Sequence, residues 1–358
     1  MARKLKILFV TFEDTGVGLY RIVQPAEQIR KQGLAEVRMH RFTGNGGNGV
    51  DLYRIIGNRH EMESWQEAAK WADMVYFTKT YTKEQYILIR ILKDYKRKVQ
   101  NKNLITVMDL DDNIYNVNPD NPGYQSYEEG MSEAREYIDQ SIFSVNALVV
   151  SVAPLKKIYT DKKLDFPMYV NPNGIDFRFF KGERPNFKKA RKLRIGFAGA
   201  SGHRDDLRIL EPVIPRLKEK YDFEFVTIGQ SYGHEFIDRN IGFVKLKDYP
   251  KALSKAGFDI GVAPLRDNLY NRCKSNLRLI EYAALRIPSV SSKIVTYSDI
   301  KNTVRCTDDA DDWYKALELM IVETRTRREL ADAVYREVKK NFNVVDQAKP
   351  LVRFLTSI

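Results

Sequence analysis

The residues best suited to chemistry lie between positions 258 and 292. Residues 260–263 (IGVA) form an apolar run of buried parallel-strand type, closed by Pro264. A polar loop follows with Arg266, Asp267, Asn268, Tyr270 and Asn271, and the pattern then starts a helix at Lys274 and Ser275. Leu277, Ile280 and Ala284 recur at helical spacing along its buried face, and Pro288 stops it. Strand, loop and helix N-terminus in that order make an anion site. The first-turn N–H groups, here those of Ser275 and Asn276, face the loop, and the helix dipole favours negative charge there. Lys274 adds a full positive charge. Glu281, two turns further on, can accept hydrogen bonds from hydroxyls. Phosphate recognition at one end and hydroxyl recognition at the other outline a nucleotide-sugar site. The plainer alternative is an ordinary strand–helix unit with a solvated lysine and glutamate.

Two further constellations carry chemistry. Residues 193–200 (LRIGFAGA) read as a strand ending in small residues, Gly199 among them, and SGHRDDL then opens a helix. Ser201 is placed to cap that helix, with His203 and Arg204 beside it, a phosphate-friendly arrangement unless His203 is a plain polar loop residue. In the first half, residues 104–108 read as a strand with Asp109, Asp111 and Asp112 at its carboxyl end, where open α/β sheets bind ligands. Three carboxylates there could orient or deprotonate a hydroxyl, hold a divalent cation, or cap and shape an Asn/Pro-rich turn. Crowding three acids costs repulsion that capping alone does not require. Gly16 and Gly18 follow the first strand and allow close backbone approach at a helix start, although the fuller G-x-G-x-x-G pattern is absent.

The elements that must position these residues alternate between strand and helix. Strands are expected at 4–10, 36–42, 74–79, 104–108 and 147–152, and again at 193–200, 223–229, 241–247, 260–263 and 289–292. Helices fall between them. One carries Leu19, Ile22, Ala26 and Ile29 on its apolar face, another spans 65–71, and a third, 83–99, has Ile87, Ile91 and Tyr95 inward. Others are expected at 131–145, 154–160, 249–256, 313–339 and 344–355. Residues 43–49 (TGNGGNG) make a glycine-rich loop and 181–192 a charged linker. Two strand–helix repeats of similar size and a terminal helix are hard to explain as one domain.

The run NxxKSNLRLIEYAALRIPSVSS resembles the donor-binding segment of family 4-like glycosyltransferases of the GT-B fold. In that family a glutamate in an E-[YA]-x-A-x-G-x-P-V-[VI] context holds the donor ribose, which falls on Glu281, and a basic residue ahead of it approaches the diphosphate, which falls on Lys274. Two positions depart from the pattern: Cys273 replaces the first member of a Glu-x7-Glu pair, and Arg286 replaces the glycine before the proline. NPNGID at 171–176 is similar to the family's hinge-entry motif, with Asn173 and Gly174 in a turn that calls for positive φ. The DLDD segment resembles those of divergent bacterial and phage members.

The resemblance implies an α/β protein of two Rossmann-like domains facing across a cleft. Residues 1–172 would form the acceptor side, 173–340 the nucleotide-sugar donor domain, and 341–358 a helix returning to the first domain. It implies transfer of a sugar from a nucleotide diphosphate to a hydroxyl, with retention. Lys274 and His203 would stabilise the leaving diphosphate. Gly16, Gly18, Gly199, Ser201, Arg204, Asn271, Ser275, Asn276 and Glu281 would contact the donor, with Arg21 a further candidate, while Asp109, Asp111 and Asp112 would face the acceptor. Such clamps stand in for a metal, so no metal and no cofactor beyond the nucleotide-sugar co-substrate is expected.

Composition sets the outer bounds. The 358 residues carry a net charge of +12, which suits an anionic partner: a nucleotide-sugar, an acidic membrane surface or nucleic acid. No apolar run approaches the roughly 18 residues of a membrane helix. The basic, then apolar start stops at Glu13 and Asp14 and reads as a first strand, not a leader. Two cysteines, Cys273 and Cys306, give neither a disulfide framework nor a metal cluster, so a reduced, cytoplasmic setting is the default. The acceptor stays open between a glycan, a lipid, a small metabolite, a protein and a hydroxylated base in phage DNA. A non-catalytic nucleotide-sugar or nucleic-acid binding protein, and an epimerase or hydrolase of the same fold, are the alternatives to a transferase.

Overall fold

The computed structural model describes residues 3–13, 15–41, 58–117, 131–162, 164–187, 191–229 and 233–358. They divide into two compact units. The first takes the described residues up to Ile114, those between 131 and Asn173, and 344–358; the second takes 115–117 and 174–343. The glycine-rich stretch 43–49 lies outside the described residues.

The first unit is built on a six-stranded parallel sheet in the order β2-β1-β3-β4-β5-β6. Its strands are β1 (Lys6–Thr11), β2 (Glu36–Arg41), β3 (Met74–Thr78), β4 (Ile105–Leu110), β5 (Ala147–Val150) and β6 (Met168–Val170). β3 and β5 are buried throughout, which is why they read as continuous apolar runs rather than alternating ones. Ile22, Ala26 and Ile29 pack on Ile7 and Phe9, as their spacing requires, and Ala348, Leu351 and Leu355 of the helix Val344–Thr356 close the same core. Each fully buried Ile or Leu contributes about 1.5–3 kcal/mol by leaving water.

The second unit repeats the plan with the order β12-β11-β10-β7-β8-β9. Its strands are β7 (Leu193–Gly199), β8 (Phe223–Gly229), β9 (Arg239–Asn240), β10 (Ile260–Ala263), β11 (Ser289–Ser292) and β12 (Val304–Cys306). In each sheet the strand order reverses once, between β1 and β3 and between β7 and β10. Open α/β sheets bind ligands outside the carboxyl ends of the strands at such a reversal. Residues 12, 13 and 15–17 and loop 79–82 meet that description in the first unit, and segments 200–203 and 264–276 in the second.

Several expected boundaries move. Residues 241–247 are not a strand: only Arg239–Asn240 pairs with β8, and Phe243 beyond it is 80% exposed, so no apolar face holds the segment to the sheet. The helix expected over 313–339 is two, Ala310–Val322 and Thr324–Asn341, broken at Glu323. The helix Lys83–Gln100 turns Leu88, Ile89, Leu92 and Lys96 inward, leaving Ile87, Ile91 and Tyr95 half-buried. Lys96 is inside because its ammonium donates to the carbonyls of Ala69 and Ala72, at the end of the helix Arg59–Trp71. That polar anchor outranks the apolar stripe. Neither Asn173 nor Gly174 takes positive φ; Asn173 instead accepts a hydrogen bond from Arg21 through its side chain.

Candidate active site

In the second unit the site forms around the end of β7. Arg278 lies under the loop, its Nε donating to the Ala198 carbonyl at 2.8 Å and its guanidinium 4.3 Å from the centre of the Phe197 ring. A Cβ at Gly199 would sit 2.8 Å from Arg278 Nη2, so glycine there leaves room for the guanidinium. His203 follows in a short 3-10 turn, Ser201–His203, with Nδ1 2.8 Å from Asp206 Oδ2. Burial, reinforced by Lys274 and Arg278, pulls the His203 imidazole down to about 3, so it is neutral across the physiological range. Burial is the larger cause; the two cations beside it add positive potential at this end of β7.

The other half of the site comes from the loop after β10. Asn268 caps a separate short helix, Leu269–Arg272, by accepting from Asn271 N at 2.8 Å. The chain then turns through Cys273–Asn276, and the next helix is Leu277–Ala284. The helix therefore starts at Leu277 and not at Lys274, so its first-turn N–H groups are those from Leu277 onward, and Ser275 and Asn276 stand ahead of it. Lys274 lies on this turn, its ammonium 4.7 Å from the Tyr270 ring centre. Asn271 is buried and braces the loop, donating to Asp206 Oδ1 at 2.8 Å and to the Arg266 carbonyl at 2.9 Å; it is not turned to a ligand. Asp206 thus ties the two loops together, since it also receives the Arg266 N–H at 3.0 Å. Cys273, at the first position of the incomplete pair, is fully buried and presents nothing to a sugar.

Glu281 lies in the next turns of the same helix, 7% exposed, and accepts from Tyr249 Oη at 2.9 Å. Burial and the Glu281 charge push the Tyr249 phenol up, which keeps it a donor. Arg286 has φ 57°, a left-handed backbone, so the position the resemblance assigns to glycine has the geometry that favours glycine. Its guanidinium pairs with Asp332 and stacks on Tyr335. Arg204 is exposed and lies alongside Gly233, and its carbonyl accepts from His234 at 2.9 Å.

The first unit assembles a different cluster at the ends of β1, β3 and β4. Asp109 is inside β4 and not beyond its end. It is fully buried, gripped by Arg21 through Nε at 2.7 Å and Nη2 at 3.0 Å, and receives the Tyr76 hydroxyl. Arg21 also donates to the Asn171 carbonyl and, at 3.0 Å, to Asn173. Both Asp109 and Arg21, expected at the ligand, are internal struts. Asp111 pairs with Lys79, whose ammonium is also 3.6 Å from Asp112, the most exposed of the three acids. Gly18 begins a π-helical turn, Gly18–Val23, and a Cβ on it would be 2.1 Å from the Glu13 carbonyl. Gly16, half-buried, precedes that turn.

Glu13 was not singled out by sequence reasoning. It is 7% exposed and accepts from Thr15 at 3.0 Å, while its Oε1 has no hydrogen-bond partner among the described residues. Burial pushes its carboxyl up; Lys79 opposes this and Asp111 and Asp112 add to it. Lys79, Arg278, Asp206 and Tyr249 were missed as well. Arg278 had one legible signal, a cation one helical turn after Lys274; Tyr249 had none, because its partner is 32 residues away. No group of three or more metal-ligating side chains forms among the described residues.

Comparison with known proteins fits this geometry. Residues 204–353 match the family model described as glycosyl transferase-like, a span that contains His203's neighbours, Lys274 and Glu281. The Anabaena protein HepE, solved with UDP and glucose, superposes with a TM-score of 0.64 at 14% identity, covering 99% of this chain and 100% of that one. Sucrose-phosphate synthase from Thermosynechococcus elongatus gives 0.64 at 13% identity, covering 99% of this chain and 100% of that one. An alpha-glucosyltransferase in complex with UDP gives 0.68 at 10% identity, covering 98% and 100%. A comparison with curated protein sequences gives no match. The fold is therefore GT-B. Residues 204–353, mostly on its second unit, are similar to the glycosyl transferase-like family.

Proposed function

We propose that the protein transfers a hexosyl group from a nucleotide-diphosphate sugar, with UDP as the first nucleotide to test, to an acceptor hydroxyl with retention. The observation that carries the reading is the cationic end of β7, where Arg278 is fixed on the Ala198 carbonyl and, with burial the larger cause, Arg278 and Lys274 help to hold His203 neutral. The work required of the protein is to stabilise charge as it develops on the leaving diphosphate. Lys274 and the first-turn N–H groups of the helix Leu277–Ala284 are the groups for this, and Glu281 accepts from the ribose hydroxyls; neutral His203 gives its one N–H to Asp206 and holds the loop in place. The UDP bound to HepE and to the alpha-glucosyltransferase supports the choice of nucleotide. The proposed chemistry uses no metal: Asp109 and Asp111 are already paired with Arg21 and Lys79, which leaves Asp112 as the half-exposed acid for an acceptor. The net charge of +12 favours an anionic acceptor, a hydroxylated base in DNA or an acidic glycan.

A thermal-shift screen against UDP-, GDP-, ADP- and TDP-sugars, with and without EDTA, tests this. A ligand at a hundredfold excess over its Kd stabilises the folded state by about 2.7 kcal/mol. A shift with one nucleotide class that survives EDTA supports the reading. A shift abolished by EDTA refutes the metal-free part, and no shift with any of them refutes the donor site. Release of free sugar without acceptor would favour a hydrolase of the same fold.

A further inference from the structure

The second unit has a concave site at the opposite end of its sheet from the cations just described. A cavity of about 470 Å³ is lined by Lys181, Arg184, Arg191, Arg194, Lys251 and Lys255, with Glu183 the one acid in its wall. Arg194 and Gly199 are five residues apart on β7, roughly 17 Å, so this cavity is separate from loop 200–203. Three of the six cations have partners or a local reason to be there. Arg191 pairs with Asp259 at 2.9 Å and donates to the Gly257 carbonyl, and Arg194 pairs with Glu224 at 2.9 Å and donates to the Ala256 carbonyl. Lys255 lies in the last turn of the helix Tyr249–Ala256, where a cation complements the dipole. Lys181, Arg184 and Lys251 have no ion pair among the described residues, and they come from two separate stretches of chain.

The backbone that carries Lys181 and Arg184 is also held in place. The Glu183 N–H donates to Ser254 Oγ at 2.8 Å, and a Cβ at Gly182 would be 2.4 Å from the same oxygen. Segment 181–184 is thus clamped to the helix Tyr249–Ala256 instead of trailing in solvent. Gathering like charges on a fixed wall costs repulsion that an anion relieves. The large apolar groups in the wall, Phe258 and Ile287, are themselves buried, so nothing is presented for insertion into a membrane.

We propose that this cavity anchors a phosphodiester backbone, a site distinct from the proposed donor site that would hold a polymeric ligand. The proposal stands independently of the transfer reaction. Its test uses the full chain and a fluorescent 20-base-pair DNA duplex as probe, with single-stranded oligonucleotide, poly(glycerol phosphate), heparin and anionic vesicles in parallel. The triple variant K181E/R184E/K251E is compared with a charge-matched control on another face, K315E/R325E/R328E, and UDP titration of each reports the proposed donor site separately. The expected result is duplex or other phosphodiester binding that weakens at least tenfold in the triple variant and not in the control. Its log–log salt dependence should flatten by about 2–3 in slope, roughly 0.9 for each phosphate that is no longer neutralised. Equal weakening in both variants, unchanged binding in the triple variant, or binding to heparin or vesicles but to no phosphodiester probe would overturn the proposal. A wild type that binds the duplex but not UDP would count against the donor site and leave this one standing.

Discussion

Arg21→Met is expected to destabilise the first unit by about 3–5 kcal/mol, the cost of stripping one partner from a buried ion pair. Both side chains are 1% exposed, and the grip is bidentate, so no water is available to replace the guanidinium. Asp109 would be left with the Tyr76 hydroxyl alone among its side-chain partners, and Asn171 and Asn173 would each lose a donor. For a unit of this size about 1 kcal/mol moves the melting temperature by roughly 2–4 °C, so a fall on the order of 6–20 °C is expected. Urea unfolding of Arg21→Met, Asp109→Leu and the double variant makes a closed cycle. Because replacing both charges by apolar groups is often near neutral, the double variant should recover most of the loss. A loss below about 1 kcal/mol for Arg21→Met would refute the strut. So would an Asp109→Asn protein that melts like wild type yet transfers no sugar, since that outcome makes Asp109 a catalytic acid.

Three other outcomes follow from the geometry. His203 is held neutral with its pKa near 3, so between there and the unfolded value of about 6.5 the unfolded chain binds the extra proton. Stability should therefore decline as pH falls below 6.5, by up to about 1.4 kcal/mol per unit from this group, and a His203→Asn protein should lose that part of the slope in urea titrations run from pH 7 to 5. Gly18→Ala, whose new Cβ would meet the Glu13 carbonyl at 2.1 Å and Thr11 Oγ1 at 2.6 Å, should cost about 1–3 kcal/mol by calorimetry; an unchanged melting temperature would contradict the close approach. Arg286→Gly relieves a left-handed backbone worth about 1–2 kcal/mol and gives up an ion pair and a ring stack of comparable total. Its urea midpoint should stay near wild type, while Arg286→Ala, which keeps the strain and gives up both the ion pair and the stack, should fall.

Most strands and their alternation with helices were the legible part of the sequence, because buried parallel strands such as β3 and β10 are unbroken apolar runs. The helix bearing Glu281 was legible as an element but misplaced at its start: Asn268 caps a short helix of its own, and nothing local to Lys274 announces the turn that follows. The acids of DLDD were legible as a cluster and not as roles, since Asp109 finds its cation at Arg21, 88 residues away, and Asp111 finds Lys79, 32 residues away. Glu13 carries no signal in sequence at all. Its burial, and an oxygen without a hydrogen-bond partner among the described residues, exist only once the segments after β1 and β3 come together at the reversal of the sheet.

Calorimetric titration of UDP into the wild type, Lys274→Ala and Glu281→Gln is the most direct test of the donor site. The account predicts saturable binding to the wild type, also in EDTA, and a loss of roughly 10–100-fold in each variant. A lost charged hydrogen bond of about 1.5–3 kcal/mol corresponds to that range. Melting temperatures should stay close to that of the wild type. Equal affinity across all three proteins, or no binding to the wild type, would contradict it.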